Sequence, residues 1–335
     1  MTDSTLAEAV AGVVRDTGFS GVVRIDAAGE VLIEHGYGLA DRRWEVPVTP
    51  ATLFAMASGS KGMTALAVLA LVERGALALD TTARSLLGRD LPLVDDAVTV
   101  EHLLAHRSGI GDYLDEDAVG SIDEYVMPVP VHRLATTEDY LQVLDGHPQV
   151  SAPGERFAYN NGGFVVLALL AERAAAAPFP DLVDELVTRP AGLTGTAFLR
   201  SDELPAGAAT GYLYPTGLRT NVLHLPVRGS GDGGAYSTAA DVHRLWDAVT
   251  AGRVIAPELV EEMTRPRSSR GPGKHRYGLG IWLHPDDDQV LEFDGYDAGA
   301  SFHSVHDRAR RITWTVISNT SEGAWPLVRL LRERV

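Results

Sequence analysis

The stretch "FAMASGSKGMTALAVLALVERG", residues 54–75, sets Ser58 three residues ahead of Lys61 at the start of an apolar run. Of the 29 basic side chains in the chain, only Lys61 and Lys274 are lysine. Apolar residues at 63, 66, 67, 70 and 71 and a stop at Gly75 predict a helix over 58–75. Residues i and i+3 of a helix share a face, so the Ser58 hydroxyl and the Lys61 amine are expected within reach of each other. The start of a helix disfavours a cation, and burial disfavours it further; both push a lysine pKa down. A serine hydroxyl is a weak nucleophile until a base takes its proton. Arginine, whose pKa stays above about 12, cannot be that base. The rare lysine thus stands where a basic group must be able to lose its proton.

A second segment, "PGERFAYNNGGFVVLALLAE" (153–172), projects Tyr159 and Asn161 from a loop at a helix entrance, with Pro153-Gly154 setting a turn. A phenolate beside a lysine could serve as general base and later as general acid. The Asn161 amide could bond a substrate carbonyl or orient the lysine. An ordinary asparagine cap beside a packed tyrosine is the plainer alternative.

Outward from these segments, residues 20–41 alternate around "DAAGE" as a β-hairpin, preceded by a helix over about 5–17. Residues 81–225 carry short helical patterns broken by Pro and Gly, together with the long run 162–177. "STAADVHRLWDAVTAG" (237–252) is a helix capped near Ser237 or Thr238. "YGLGIWLH", "QVLEFDG", "ASFHSVHD" and "RRITWTVISN" read as four strands, and "AWPLVRLLRERV" as a closing amphipathic helix. The simplest arrangement is an α+β fold. The N- and C-terminal strands share one antiparallel sheet flanked by helices (1–80 and 226–335), a mainly helical lobe is inserted (81–225), and a cleft lies between them.

The 335 residues carry a net charge of −16, which argues against nucleic acid or anionic membrane surfaces as partners. The absence of cysteine removes thiol nucleophiles and disulfides. No apolar stretch reaches the roughly 18 residues of a membrane span. The N-terminus has no signal-peptide pattern, so the expectation is a cytoplasmic location, with secretion open if a leader has been removed. The expected partner is a small-molecule or peptide substrate, the expected state a monomer or homodimer, and no cofactor is called for. His102 and His106 are spaced i, i+4 but lack the H-E-x-x-H glutamate and a third ligand, so no metal site is assigned.

Taken together, Phe54-x-x-x-Ser58-x-x-Lys61, "LLAHRSGI" (103–110), "PGERFAYNN" (153–161), "GDGGAYSTAADV" (231–242) and "YGLGIW" (277–282) resemble, in order and rough spacing, the serine β-lactamases and penicillin-binding proteins, in particular their class C β-lactamase and esterase branch. The resemblance runs from about residue 20 to the end. It implies an acyl-enzyme on Ser58, proton transfer by Lys61 and Tyr159, and an oxyanion hole of two backbone amides, those of Ser58 and Tyr296. The third family motif, Lys-Thr-Gly or His-x-Gly, matches "FDGYDAG" (293–299). Gly295 and Gly299 fit, while Phe293 and Asp294 depart from it. Without the family's cation, a substrate carboxylate has no counter-charge, and Asp294 repels it. Neutral or cationic esters, amides or peptides are therefore expected, with Asn161, Phe293, Asp294, Gly295 and Tyr296 as substrate-binding residues. Arg228 is a candidate replacement cation. "GYDAG" also fits a G-x-D-x-G elbow of α/β-hydrolases, but the alternating parallel strands of that fold are missing. The reading is a serine hydrolase acting on an ester or amide, an esterase or D-aminopeptidase-like amidase. The alternatives are a β-lactamase or DD-carboxypeptidase, an acyltransferase, and a non-catalytic penicillin-binding-like receptor.

Overall fold

A computed structural model describes residues 3–116 and 120–335. Helix α1 (Asp3–Thr17) leads into the hairpin of β1 (Gly21–Ala27) and β2 (Glu30–Tyr37), turned at Ala28-Gly29, both with positive φ. The C-terminal part supplies β3 (Ser268–Ser269), β4 (Arg276–Tyr277), β5 (Trp282–Leu283), β6 (Val290–Asp297), β7 (Ala300–Asp307) and β8 (Ile312–Ser318). They form one antiparallel sheet in the order β2-β1-β8-β7-β6-β5-β4-β3. The two ends of the chain meet where β1 pairs with β8, Gly21 opposite Ser318 and Ala27 opposite Ile312.

The sequence 277–284 is not the single strand that its composition predicts. Gly280 takes φ +75° and the Gly278 amide bonds Ile281 O at 2.9 Å, folding the segment into the tight hairpin of β4 and β5. The turn presses on the central helix α2 (Lys61–Glu73), where a Cβ on Gly280 would lie 2.2 Å from that of Ala65.

One face of the sheet is covered by α1 and the final helix α5 (Trp325–Arg334), which bury Val10, Leu327 and Leu331 against Val23, Ile25, Trp314 and Val316. The other face carries the larger core. There α2 runs beside α3 (Asn161–Ala175), and α4 (Ala239–Thr250) packs Trp246 on Phe293. Every α2 residue from Lys61 to Leu71 is buried, which is why its apolar positions circle the whole helix instead of marking one stripe. This core runs without a break from Val22 and Ile317 of the sheet to Leu167 and Phe179 of the helical part. Among the described residues no single helix is long and apolar enough to cross a membrane.

Because neither the left-handed φ nor the 2.2 Å approach admits a methyl group, Gly280→Ala is expected to destabilise the fold by about 2–4 kcal/mol. Guanidinium unfolding read by tryptophan fluorescence checks this; a loss under about 0.5 kcal/mol contradicts the packing described.

Candidate active site

The predicted helix start at residue 58 is in fact a 3₁₀ turn, Ala57–Ser60, from which α2 continues at Lys61. Ala57 holds φ +46°, a costly conformation for a residue with a side chain. The turn is fixed from the inside: Ser60 Oγ donates to Ala57 O at 2.9 Å and accepts from the Ala235 amide at 3.0 Å. Strand β6 closes on it from the other side. A Cβ on Gly295 would lie 2.1 Å from Met56 O, so only glycine lets the strand come this near the serine.

Lys61 is 2 % exposed. Its Nζ lies 2.9 Å from Ser58 Oγ, 2.7 Å from Asn161 Oδ1 and 2.6 Å from the backbone oxygen of Asp232. Burial pushes its pKa below the ordinary lysine value, against the opposing pull of Asp232, Glu116, Asp112 and Asp297. The Asp232 carbonyl reaches the amine because "GSGDGG" (229–234) threads between α2 and α3. A Cβ on Gly231 would sit 2.0 Å from Phe164 O, and Thr64 Oγ1 ties the segment down through Gly231 O at 2.6 Å.

Asn161 begins α3. Asn160 caps that helix through the Gly163 amide (2.6 Å), and the Asp112 carboxylate accepts from the amides of Asn161 (2.6 Å) and Gly162 (2.8 Å). The Asn161 side-chain amide is fully engaged: Oδ1 on Lys61, Nδ2 on Leu114 O and Glu116 Oε1, both at 3.0 Å. Of its two expected roles, orienting the lysine is the one this geometry serves. Tyr159 stacks on Trp282, with its ring centre 5.0 Å from Lys61 Nζ. Burial, together with Glu116 and Tyr277, holds its phenol protonated well above the ordinary range, although a hydrogen bond to Ser58 pulls the other way. A resting phenolate base, one of the sequence expectations, is therefore replaced by a neutral phenol.

Two further expectations change, those for Phe293 and Arg228. Phe293 is buried, stacked on Trp246 at 4.1 Å and pressed against Gly62 of α2, and it lines no part of the cleft. Side chains on β6 alternate, and Gly295 faces the helix, so residue 293 must face it too. Asp294 lies on the cleft rim, bonded to the buried His303 at 2.9 Å. Arg228 bonds the Phe198 carbonyl at 3.0 Å; the cation that does share a recess with Ser58, Tyr159, Asp294 and Tyr296 is Arg270, over the Trp282 ring. His102 closes a capping box with Thr99, and His106 is enclosed by aromatic rings.

A recess beside Ser58 spans about 850 Å³, counting the open space at its mouth. Its wall is largely apolar and aromatic (Leu114, Ile122, Tyr125, Met127, Tyr140, Leu225, Tyr236), with Asp232, Asp297, Glu116 and Asn221 among its polar groups. Tyr113 donates to the Asp232 carboxylate. Burial raises Asp112 and Asp297 to about 7. Sequence reasoning did not find this acidic group; the glycine run flanking Asp232 was its one local signal.

A family profile described as beta-lactamase matches residues 6–334. Esterase EstB of Burkholderia gladioli is 31% identical over 96% of this chain and 92% of its own length. D-aminopeptidase of Brucella anthropi is 27% identical over 80% of this chain and 49% of its own. The crystal structure of a penicillin binding protein from Bacillus halodurans superposes with a TM-score of 0.91 at 31% identity, covering 97% of this chain and all of that one.

Asp297 binds its proton more tightly when folded, about 7, than in an unfolded chain, where a carboxyl titrates near 4. Its contribution to stability is therefore greatest below about pH 4 and falls as pH rises to about 7. Asp297→Asn is expected to raise the thermal midpoint at pH 8 by about 2–4 °C and to leave it unchanged at pH 4. Calorimetry at the two pH values tests this, and equal midpoints at pH 8 contradict it.

Proposed function

The chain belongs to the beta-lactamase family, a set of serine hydrolases, and on that premise we propose that it hydrolyses an ester or amide through an acyl-enzyme on Ser58. The observation carrying the reading is the 2.9 Å contact between Ser58 Oγ and a buried amine whose pKa is lowered. Lys61 takes the serine proton as the oxygen attacks the acyl carbon. The amides of Ser58 and Tyr296 receive the oxyanion, each such donor contributing about 3–4 kcal/mol. The closeness of β6 to the 57–60 turn supports that pairing. The neutral Tyr159 phenol donates a proton to the departing alcohol or amine and regains one from the Lys61 ammonium; water then attacks the acyl carbon, giving its proton to the same pair, which returns it to the departing Ser58 oxygen.

The cavity points to the substrate class. Its apolar wall fits a hydrophobic acyl group, and its carboxyl groups favour an acyl group that also bears an amine while opposing one that bears a carboxylate. Esterase and D-aminopeptidase relatives are consistent with esters and amides of that kind. A second reading, a substrate whose leaving group carries a carboxylate as in DD-peptides and opened β-lactams, is favoured by Arg270 on the rim.

Intact-mass analysis after fluorophosphonate treatment is expected to show one adduct on Ser58, with Lys61→Arg slowing its formation by at least about 10³-fold while circular dichroism stays native. Turnover should rank p-nitrophenyl esters and amine-bearing amino-acid p-nitroanilides above nitrocefin. Failure to label Ser58, or wild-type labelling in Lys61→Arg, overturns the mechanism; nitrocefin as the best substrate moves the assignment to the second reading.

A further inference from the structure

We infer that His106 is a positioning residue for Tyr159, holding the phenol over the Ser58–Lys61 pair by gripping the backbone on both sides of it. The inference rests on the role of Tyr159 proposed above. The Ala158 amide donates to His106 O at 2.9 Å, and the Asn160 amide donates to His106 Nδ1 at 3.1 Å. One residue thus fixes both peptide neighbours of Tyr159, and its imidazole also lies 4.4 Å, centre to centre, from the phenol ring.

The arrangement is costly in two ways that packing alone does not explain. His106 holds φ +52°, in the left-handed region that a residue with a side chain enters at a penalty. A backbone N–H can only donate, so Nδ1 must be the acceptor and the ring proton must sit on Nε2. That nitrogen is buried, has no hydrogen-bond partner, and is surrounded by the rings of Phe157, Tyr159, Phe164 and Tyr277. A phenylalanine would fill the same space without the buried, unpaired Nε2. What it lacks is the acceptor for Asn160. Burial, with Lys61 and Arg270 adding to it, keeps the imidazole neutral, so the acceptor lone pair persists. Neighbouring bonds extend the cradle: the Gly154 amide to Arg107 O at 2.7 Å, Asn160 Nδ2 to Ile110 O at 2.9 Å and the Val150 amide to Gly109 O at 2.8 Å. Asn160 is itself the cap of α3, so the same bond sets Asn161 against Lys61.

The test compares His106→Phe, which keeps an aromatic ring and loses the acceptor, with His106→Asn, which retains an acceptor and tolerates positive φ. On the best p-nitrophenyl ester, His106→Phe is expected to lose about 100-fold in kcat with KM within about 3-fold, the signature of misplaced chemistry rather than lost binding. His106→Asn should recover to within about 5-fold of the parent. Equal kcat in His106→Phe and the parent overturns the inference, as does equal impairment of the two variants. Should either variant fail to fold, the unaltered protein decides. A scalar coupling across the hydrogen bond from the Asn160 amide to a histidine Nδ1 is expected, and a histidine 106 protonated on Nδ1 contradicts the grip. An inactive parent that does not label Ser58 refutes the proposed function instead, which keeps the two failures distinct.

Discussion

The site depends on a lysine kept out of water. Lys61 sits at the junction of a 3₁₀ turn and a helix, with three oxygens within 2.9 Å and apolar core beyond. The oxygens would favour an ammonium; the burial disfavours it, and burial is the larger effect. Much of the surrounding structure enforces that balance. The glycine run 229–234 brings a carbonyl instead of a side chain to the amine, the capped start of α3 presents Asn161, and the glycine at 295 lets β6 shut the space beside Ser58.

The same tight approach explains the acidic cavity. Asp112 must be near the amine because it caps α3, and Asp232 because its peptide carbonyl contacts Lys61. Both carboxyls are then buried, and burial raises their proton affinity above that of free aspartate. Under the function proposed above, a cleft of this kind favours an uncharged or amine-bearing acyl group over one that bears a carboxylate. Arg270 shares a neighbouring recess with Ser58, Tyr159 and Asp294.

The sheet, the central helix and the Ser58–Lys61 pairing were legible because each rests on a local period: alternation in 20–41 and 289–319, and a spacing of three between hydroxyl and amine. Tyr159 and Asn161 were legible from the loop that precedes a long apolar helix. What was missed depends on contacts far apart in sequence. Asp232 is 171 residues from Lys61, and nothing local says that its carbonyl is the part that matters. The strand at 277–284 was misread because alternation does not reveal that Gly280 bends back against Ala65. Phe293 was placed in the cleft by analogy with a motif, whereas the phase of the strand, with Gly295 against the nucleophile turn, already put residue 293 on the helix side.

The scarcity of lysine makes the central claim directly measurable. With carbon-13 at the ε position of lysine, the chain gives two resonances, from Lys61 and Lys274. A pH titration followed by NMR should show the resonance that vanishes in a Lys61→Arg variant titrating below the ordinary lysine value of about 10.4. A Lys61 resonance titrating no lower than the ordinary lysine value of about 10.4 would mean that the amine is charged at rest, and the account of Ser58 activation would fail.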